Sequence, residues 1–138
     1  MKLTPHFTFD GQSEEALKFY SVALNGEIIS LIRFSDMENG CCSSEKLKPE
    51  DQKRILNGCL QFGENTIYCC DQMPGQTPTQ GNNVMMDITL LDKAEIQRVF
   101  ETLSESGNVI MPLAPAAWTP LYGMVIDRYG IYWNIMQK

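Results

Sequence analysis

Apolar and polar positions alternate most clearly near the end of the chain. Two short runs rich in β-branched and aromatic residues flank Asp127–Gly130, a pattern typical of a β-hairpin. Within residues 131–136, alternate side chains point to opposite faces of the strand. One face is wholly apolar and predicts packing against helices. The other carries one amide, Asn134, between Tyr132 and Met136, and predicts the wall of a ligand cleft.

The same order of elements is predicted twice along the chain: strand, helix, strand, loop, strand, turn, strand. Apolar stripes with helical spacing mark each helix, and a Gly follows each stripe. The predicted segments of the first half are strand 7–10, a helix from Ser13 to Asn25-Gly26, strand 27–34, loop 35–49, a helical turn at 50–54, and strands 55–62 and 66–70. Those of the second half are strand 84–91, a helix ending at Ser106-Gly107, strand 108–112, an irregular segment 113–121 and the hairpin.

Both helices carry candidate capping residues. Ser13 is the expected N-cap of the first helix, and Gly26 is expected at the left-handed position after its end. Asp92, with Glu95 three residues on, resembles a capping box at the start of the second helix. The helix boundaries therefore rest on residue chemistry as well as on periodicity.

The two halves keep a fixed offset, which pairs Phe19 with Phe100 and Gly26 with Gly107. One βαβββ unit has too small a core to stand alone, whereas two can combine their sheets. We therefore expect an α+β fold in which tandem βαβββ modules form a curved mixed-sheet cup with helices outside. We expect a single domain over 1–138, with module one at about 1–72, a linker at about 73–83 and module two at about 84–138.

Composition and charge narrow the possible partners. The chain has 138 residues, 43% of them hydrophobic and 20% charged, which is typical of a soluble globular domain. Its net charge of −6 argues against nucleic acid and against an anionic membrane surface. No apolar run is long enough for a membrane span, and the N-terminus does not resemble a signal peptide.

Five cysteines are present, and four of them lie in the adjacent pairs Cys41-Cys42 and Cys69-Cys70. An odd count in adjacent pairs does not suit a disulfide framework, and no Cys/His spacing typical of a metal site occurs. We therefore expect free thiols in a reducing cytoplasm.

An ordered set of motifs resembles the PhnB-like branch of the vicinal oxygen chelate superfamily, which includes glyoxalases, bleomycin-resistance proteins and ring-cleaving dioxygenases. The resemblance spans nearly the whole chain. Members of this branch are also named as ubiquinone-pathway methyltransferases, but the chain has no Gly-rich nucleotide-binding turn after a strand. The residues that carry the resemblance are Phe9-Asp-Gly-Gln-Ser-Glu-Glu-Ala-Leu-Lys-Phe-Tyr20, Asn25-Gly-Glu27, Asp71-Gln-Met-Pro-Gly75, Val109-Ile-Met-Pro-Leu113, Trp118 and Tyr122-Gly-Met-Val-Ile-Asp-Arg-Tyr-Gly-Ile-Tyr-Trp-Asn134.

The resemblance implies a divalent ion in the cup, held by His and Glu from the first and last strands of each half. Transferred to this chain, those positions are Pro5, a residue near Asn57, Met86 and Asn134. Hard divalent ions prefer carboxylates and imidazoles, which three of these positions lack, and the position near Asn57 is left open. We therefore expect no metal and no other cofactor.

Several polar residues are candidates for ligand binding. His6, the single histidine, is a ligand or proton carrier if it faces the cup, but the expected register turns Pro5 inward. Asn57 and Asn134, taken as equivalent positions in the two halves, either orient a polar ligand or bond to each other, backbone or water. Asp87 is either a general base or a solvated carboxylate at the rim.

The remaining candidates are apolar or weakly polar. Cys59 shares the face of Asn57 and is either a reactive thiol or a small core residue. An apolar ligand would be lined by Trp118, Tyr122, Tyr132 and Met136, which otherwise belong to the core or a dimer interface. Trp133, on the opposite face from Tyr132, is expected in the core.

These features predict a PhnB-like protein that binds a small organic ligand without the usual divalent metal. The resemblance also implies a homodimer, because cups of this superfamily are often completed between chains. One alternative is a metal-dependent lyase, isomerase or dioxygenase of glyoxalase type that uses His6 with Asp87 or another carboxylate. The other is a pure binding or resistance protein that sequesters a planar or aromatic compound. The loop 35–49 is either a lid over the cup or an insertion.

Overall fold

The computed structural model describes residues 1–37 and 47–138, so the central part of the expected loop 35–49 lies outside the described residues. The chain divides into two compact units, Met1–Thr79 and Gln80–Lys138, and this division falls inside the expected linker at 73–83. Each unit contains the order β, α, β, β, β, which confirms the α+β class and the tandem βαβββ modules. No helix among the described residues is long and apolar enough to cross a membrane.

The first unit is a four-stranded mixed sheet with one long helix. Its strand order is β1-β4-β3-β2, with β1 parallel to β4 and the other neighbours antiparallel. The expected helical turn before β3 is present. The elements are β1 (His6–Phe9), α1 (Ser13–Ala23), β2 (Glu27–Arg33), a short 3-10 turn (Phe34–Asp36), α2 (Pro49–Gln52), β3 (Ile55–Phe62) and β4 (Asn65–Asp71).

The second unit repeats this topology with strand order β5-β8-β7-β6, and β5 is parallel to β8. The expected irregular segment at 113–121 is wrong, because β6 extends to Ala116 and a tight turn leads directly into β7. The strand β6 contains Pro112 and Pro115. Its pairing with β7 shifts register on either side of Ala114, and these irregularities accommodate the two prolines within the strand. The elements are β5 (Met86–Leu90), α3 (Lys93–Ser104), β6 (Asn108–Ala116), β7 (Thr119–Ile126) and β8 (Tyr132–Gln137).

One long helix covers one face of each sheet. The helical stripes expected from the sequence are buried, and Trp133 is 1% exposed, as expected for a core residue. Because each sheet has its helix on one side, the side chains on its other side are available for other contacts. The buried hydrophobic residues of these helices are Ala16, Leu17, Tyr20 and Ala23 of α1 and Ile96, Val99, Phe100 and Leu103 of α3.

The starts of the two long helices differ from each other. The expected Ser13 N-cap is wrong: Gln12 occupies that position, and the backbone N–H of Ser13 donates to Oδ1 of buried Asp71 at 3.0 Å. The Asp92 cap is confirmed, since its Oδ1 accepts from the N–H of Glu95 at 2.8 Å. A carboxylate accepts a backbone N–H in both places, but in α1 it comes from β4, far away in sequence.

The glycines after both helices serve close packing. The left-handed residues are Asn25 (φ 51°) and Ser106 (φ 57°), so the expected left-handed Gly26 is wrong. A Cβ at Gly26 would lie 2.7 Å from the carbonyl oxygen of Gln61, and one at Gly107 would overlap the carbonyl oxygen of Ile126. Glycine is required at both places because the backbone passes close to a neighbouring strand.

Candidate functional site

The sheet of the second unit has one face without a helix, which we call the open face. On β8, Trp133 and Ile135 are buried beneath α3, and the alternate residues are half-buried on the other side, as the sequence predicts. Strand register adds their neighbours from β5 and β7. The open face consists of Asp87, Thr89, Tyr122, Met124, Ile126, Tyr132, Asn134 and Met136.

Three of these side chains form one hydrogen-bonded chain, the Tyr122–Asn134–Asp87 chain. The hydroxyl of Tyr122 donates to Oδ1 of Asn134 at 3.0 Å, and Nδ2 of Asn134 donates to Oδ1 of Asp87 at 2.7 Å. Nδ2 of Asn134 also lies 3.7 Å from the sulfur of Met85. The carboxylate accepts only, so it fixes the amide orientation and with it the direction of both bonds.

Aromatic side chains flank one end of this chain. The rings of Trp118 and Tyr122 meet edge to face, with centroids 5.4 Å apart. Trp118 is 69% exposed, whereas Tyr122 is 9% exposed. The indole of Trp118 therefore offers a free surface beside the phenol that begins the hydrogen-bonded chain.

A cavity of about 480 Å³ lies at the other end of the open face. Tyr132, two residues before Asn134 on β8, contributes to both the cavity and the open face. Neither Asp87 nor Trp118 lines the cavity, so the cavity and the exposed indole occupy different parts of the open face. It is lined by Gln80, Gly81, Asn82, Ile126, Gly130 and Tyr132.

Buried Asp127 fixes the strand that carries Asn134, and the sequence reasoning missed it. Its Oδ1 accepts from the backbone N–H groups of Tyr129 and Ile131, at 2.8 and 3.0 Å. Its Oδ2 accepts from Nε1 of Trp133 at 2.8 Å. Asp at the start of a Gly-containing turn is the signal for the backbone bonds, but the indole bond has no signal in the sequence. Asp127 thus anchors the residue next to Asn134.

The first unit also has a sheet face opposite its helix. His6 pairs with Tyr68 across the parallel strands, and their ring centroids are 6.0 Å apart. Tyr68 pairs in turn with Cys59, which places Cys59 and Asn57 on the same face. The expected register of His6 is therefore wrong, since Phe7 and Phe9 face the helix and His6 is exposed on the other side.

The thiols and amide of the first unit are held in confined surroundings. Cys59 is 3% exposed and carries a free thiol, as do Cys69 and Cys70. Burial raises the pKa of the Cys69 thiol, which disfavours the reactive thiolate. Oδ1 of Asn57 is buried without a partner among the described residues. Cys41 and Cys42 lie outside the described residues.

Strand pairing corrects the expected equivalence of the two halves. Asn57 lies on the third strand of its unit and Asn134 on the fourth strand of the other, so they do not correspond. Asp87, not Met86, pairs with Asn134, while Met86 pairs with Trp133 on the helix side. The residues at equivalent places are thus His6 with Tyr68 and Asp87 with Asn134.

The donor chemistry of each unit, taken by itself, does not fit a site for a hard divalent ion. In the second unit, the amide nitrogen of Asn134 donates to Asp87 and its oxygen accepts from Tyr122, so neither is directed to a cation. In the first unit, the strand partner of His6 is Tyr68, a phenol and not a carboxylate. No group of three His, Cys, Asp or Glu side chains placed to hold a metal occurs among residues 1–37 and 47–138.

Comparison with known proteins relates the whole chain to one family. Residues 1–136 match the family model described as 3-demethylubiquinone-9 3-methyltransferase. Protein YjdN of Escherichia coli is 24% identical over 140 residues, which cover 98% of this chain and 94% of that protein.

Two solved structures have the same fold over the entire chain. Protein PA1353 from Pseudomonas aeruginosa has a TM-score of 0.86 and 25% identity, and covers 100% of this chain and 98% of its own. A protein from Bacillus cereus described as a putative 3-demethylubiquinone-9 3-methyltransferase, PhnB protein, has a TM-score of 0.79 and 23% identity, with 100% of both chains covered.

Proposed function

The chain belongs to the PhnB-like family described as 3-demethylubiquinone-9 3-methyltransferase, within the vicinal oxygen chelate superfamily, and on this basis we propose that it binds a small organic ligand on the open face of its second unit. The ligand is held without the divalent metal usual in that superfamily. The single observation that carries this proposal is the Tyr122–Asn134–Asp87 chain on a face that is otherwise mainly apolar.

The hydrogen-bonded chain supports ligand binding because it is costly as a purely structural feature. Half-buried Asn134 needs partners for both ends of its amide, and each buried polar group left without one costs about 1–3 kcal/mol. An apolar residue at this position would remove that requirement. The Tyr122–Asn134–Asp87 chain instead orients the amide, and the side chain of Asp87 is exposed. This arrangement is expected of the few polar groups in an apolar binding surface.

The remaining candidate residues extend this proposed site. Tyr132 and Met136 flank Asn134 on β8, and Trp118 adds an exposed ring beside Tyr122. On the first unit, we propose that exposed His6 and half-buried Asn57 form a second polar site on the face opposite α1, with Cys59 buried on the same face. Homodimerisation and a cytoplasmic location are proposed with it, the latter because the described cysteines carry free thiols.

One observation favours a second candidate function, a divalent-metal-dependent lyase, isomerase or dioxygenase of glyoxalase type. His6 and Asp87 are both exposed, and they occupy equivalent places in the two sheets. An imidazole and a carboxylate are ligands that divalent ions accept. Metal content separates the two candidates: inductively coupled plasma mass spectrometry of protein purified without chelators should find far less than one ion per chain. Stoichiometric zinc, nickel, manganese or iron would overturn the metal-free proposal.

Ligand binding on the open face is tested with three indole probes: tryptamine, indole and indole-3-acetate. In ¹H–¹⁵N spectra of the whole chain, at least one probe should shift amide signals of β5, β7 and β8. Asn134→Ala should weaken that binding, because the oriented hydrogen bonds to Tyr122 and Asp87 are lost. Gln97→Ala, which removes an exposed amide of α3 on the opposite side of the sheet, is the matched control. Absence of any shift, or equal effects of the two variants, would refute the proposed site.

A further inference from the structure

We propose that the ligand of the open face is an organic amine, with a cationic N–H donor that binds Asp87 and an aromatic or apolar body that lies against Trp118. This inference deepens the proposed function and rests on it. It follows from the direction of two hydrogen bonds, from the charge around Asp87 and from the position of one exposed ring.

The direction of the hydrogen bonds indicates which kind of ligand group complements the site. Tyr122 donates a hydrogen bond to Asn134, and Asn134 donates one to Asp87, so the oxygen and the nitrogen of the Asn134 amide both have partners. The second carboxylate oxygen of Asp87 is an acceptor at the exposed end of the chain. Tyr122 uses its proton internally and offers only a lone pair. On this hydrogen-bonded chain the exposed polar atom is therefore a carboxylate oxygen, which a donor group of the ligand complements, whereas the hydroxyls of Thr89 and Tyr132 on the same face can accept as well as donate.

The charge around Asp87 favours a donor that is cationic. None of the ion pairs among residues 1–37 and 47–138 involves Asp87. The open face contains no Lys or Arg, and the arginines of this unit pair with Glu95 and Glu105. A net charge of −6 adds a general attraction for cations. A carboxylate without a protein counter-ion attracts an ammonium group and repels carboxylates and phosphates.

The exposed ring indicates where the rest of the ligand lies. Trp118 meets Tyr122 edge to face, so the Tyr122–Asn134–Asp87 chain links the ring pair to the carboxylate. Indole faces attract cations and stack on flat apolar groups. An amine bound to Asp87 can thus place its body over Trp118, which is 69% exposed. Thr89 and Met136 are the neighbouring residues of the same face.

The test compares the three probes at low and at physiological salt by NMR titration of the whole chain. Tryptamine should bind about fivefold to tenfold more tightly than indole, with indole-3-acetate the weakest, and added salt should reduce this preference. Asp87→Asn keeps an acceptor for Asn134 but removes the charge, so the preference should disappear. Trp118→Ala, at an exposed position, should weaken all probes about threefold.

The control variant is Glu101→Gln, which removes one negative charge from the exposed side of α3 and should leave the preference unchanged. Equal affinity for tryptamine and indole-3-acetate, or a preference that survives Asp87→Asn, would overturn the amine inference while leaving ligand binding on the open face intact. If no probe shifts signals of β5, β7 and β8, the proposed function fails together with this inference.

Discussion

Replacing Asp127 by Asn should destabilise the second unit through one particular hydrogen bond. The carboxylate is 3% exposed, and its two oxygens have different partners: Oδ1 accepts from two backbone N–H groups, and Oδ2 accepts from Nε1 of Trp133. In Asp127→Asn, the amide oxygen can keep the backbone bonds. The amide nitrogen then faces the indole N–H, so two donors meet in a buried place.

The magnitude follows from the loss of a charged acceptor and the unsatisfied indole. A hydrogen bond to a charged group contributes about 1.5–3 kcal/mol, and a buried donor left unpaired costs about 1–3 kcal/mol. We expect Asp127→Asn to lower the free energy of unfolding by about 2–3 kcal/mol. Asp127→Ala, which leaves three N–H groups without their acceptor, should lower it by about 3–5 kcal/mol.

A double-mutant cycle with Trp133→Phe isolates the indole bond, because Phe keeps a ring in the core and removes the N–H. Urea unfolding of all four proteins, followed by far-UV circular dichroism, gives the free energies. The cost of Asp127→Asn should be about 1–2 kcal/mol smaller when residue 133 is Phe. Equal costs in both backgrounds would refute the argument that the indole bond makes Asp127 necessary.

Two further predictions concern the end of α3 and the surface of α1. Ser106→Gly should raise the free energy of unfolding by about 0.5 kcal/mol, since glycine adopts a φ of 57° without strain. Gly107→Ala should lower it by about 1–3 kcal/mol, because the added Cβ overlaps the carbonyl oxygen of Ile126. Urea titrations in which both variants change the free energy of unfolding with the same sign would contradict this. A hydrogen bond from Arg33 is the main cause that lowers the pKa of Glu14 from 4.5 to about 2, so its contribution is present above pH 4.5 and is lost as pH falls toward 2. Because the Glu14 side chain is 33% exposed, Glu14→Gln should cost at most about 1 kcal/mol at pH 7 and almost nothing at pH 2, and a difference that does not change with pH would refute this assignment.

Local residue chemistry predicted the fold class because both modules carry strong periodic signals. The helical stripes, the Asp92 cap and the glycines after each helix locate the elements, and the fixed offset between Gly26 and Gly107 identifies the repeat. The prediction was wrong at 113–121, where a segment containing Pro115 and Pro120 was interpreted as irregular. Proline is tolerated at the edge of a sheet, and β6 is an edge strand.

The candidate site was only partly predictable, because its geometry depends on pairing between distant strands. The alternation on β8 correctly separated Trp133 from Asn134. The sequence has no signal that sets β5 in register with β8, and a slip of one residue placed Met86 where Asp87 belongs. The same kind of slip turned His6 to the wrong side of its sheet. The Tyr122–Asn134–Asp87 chain becomes evident only after three strands are aligned.

The prolines of β6 also affect how the protein behaves toward copies of itself. β6 is the outer strand of its sheet, and Val109, Ile110 and Met111 are each 40% to 46% exposed. Such a strand is a template for intermolecular β-pairing and aggregation. The segment Pro112–Pro115 follows at once, and both of its prolines lack the N–H that an added strand would need. The register shifts bend the same stretch. The second half of β6 is therefore protected against edge-to-edge assembly, and any such pairing is confined to the few residues before Pro112.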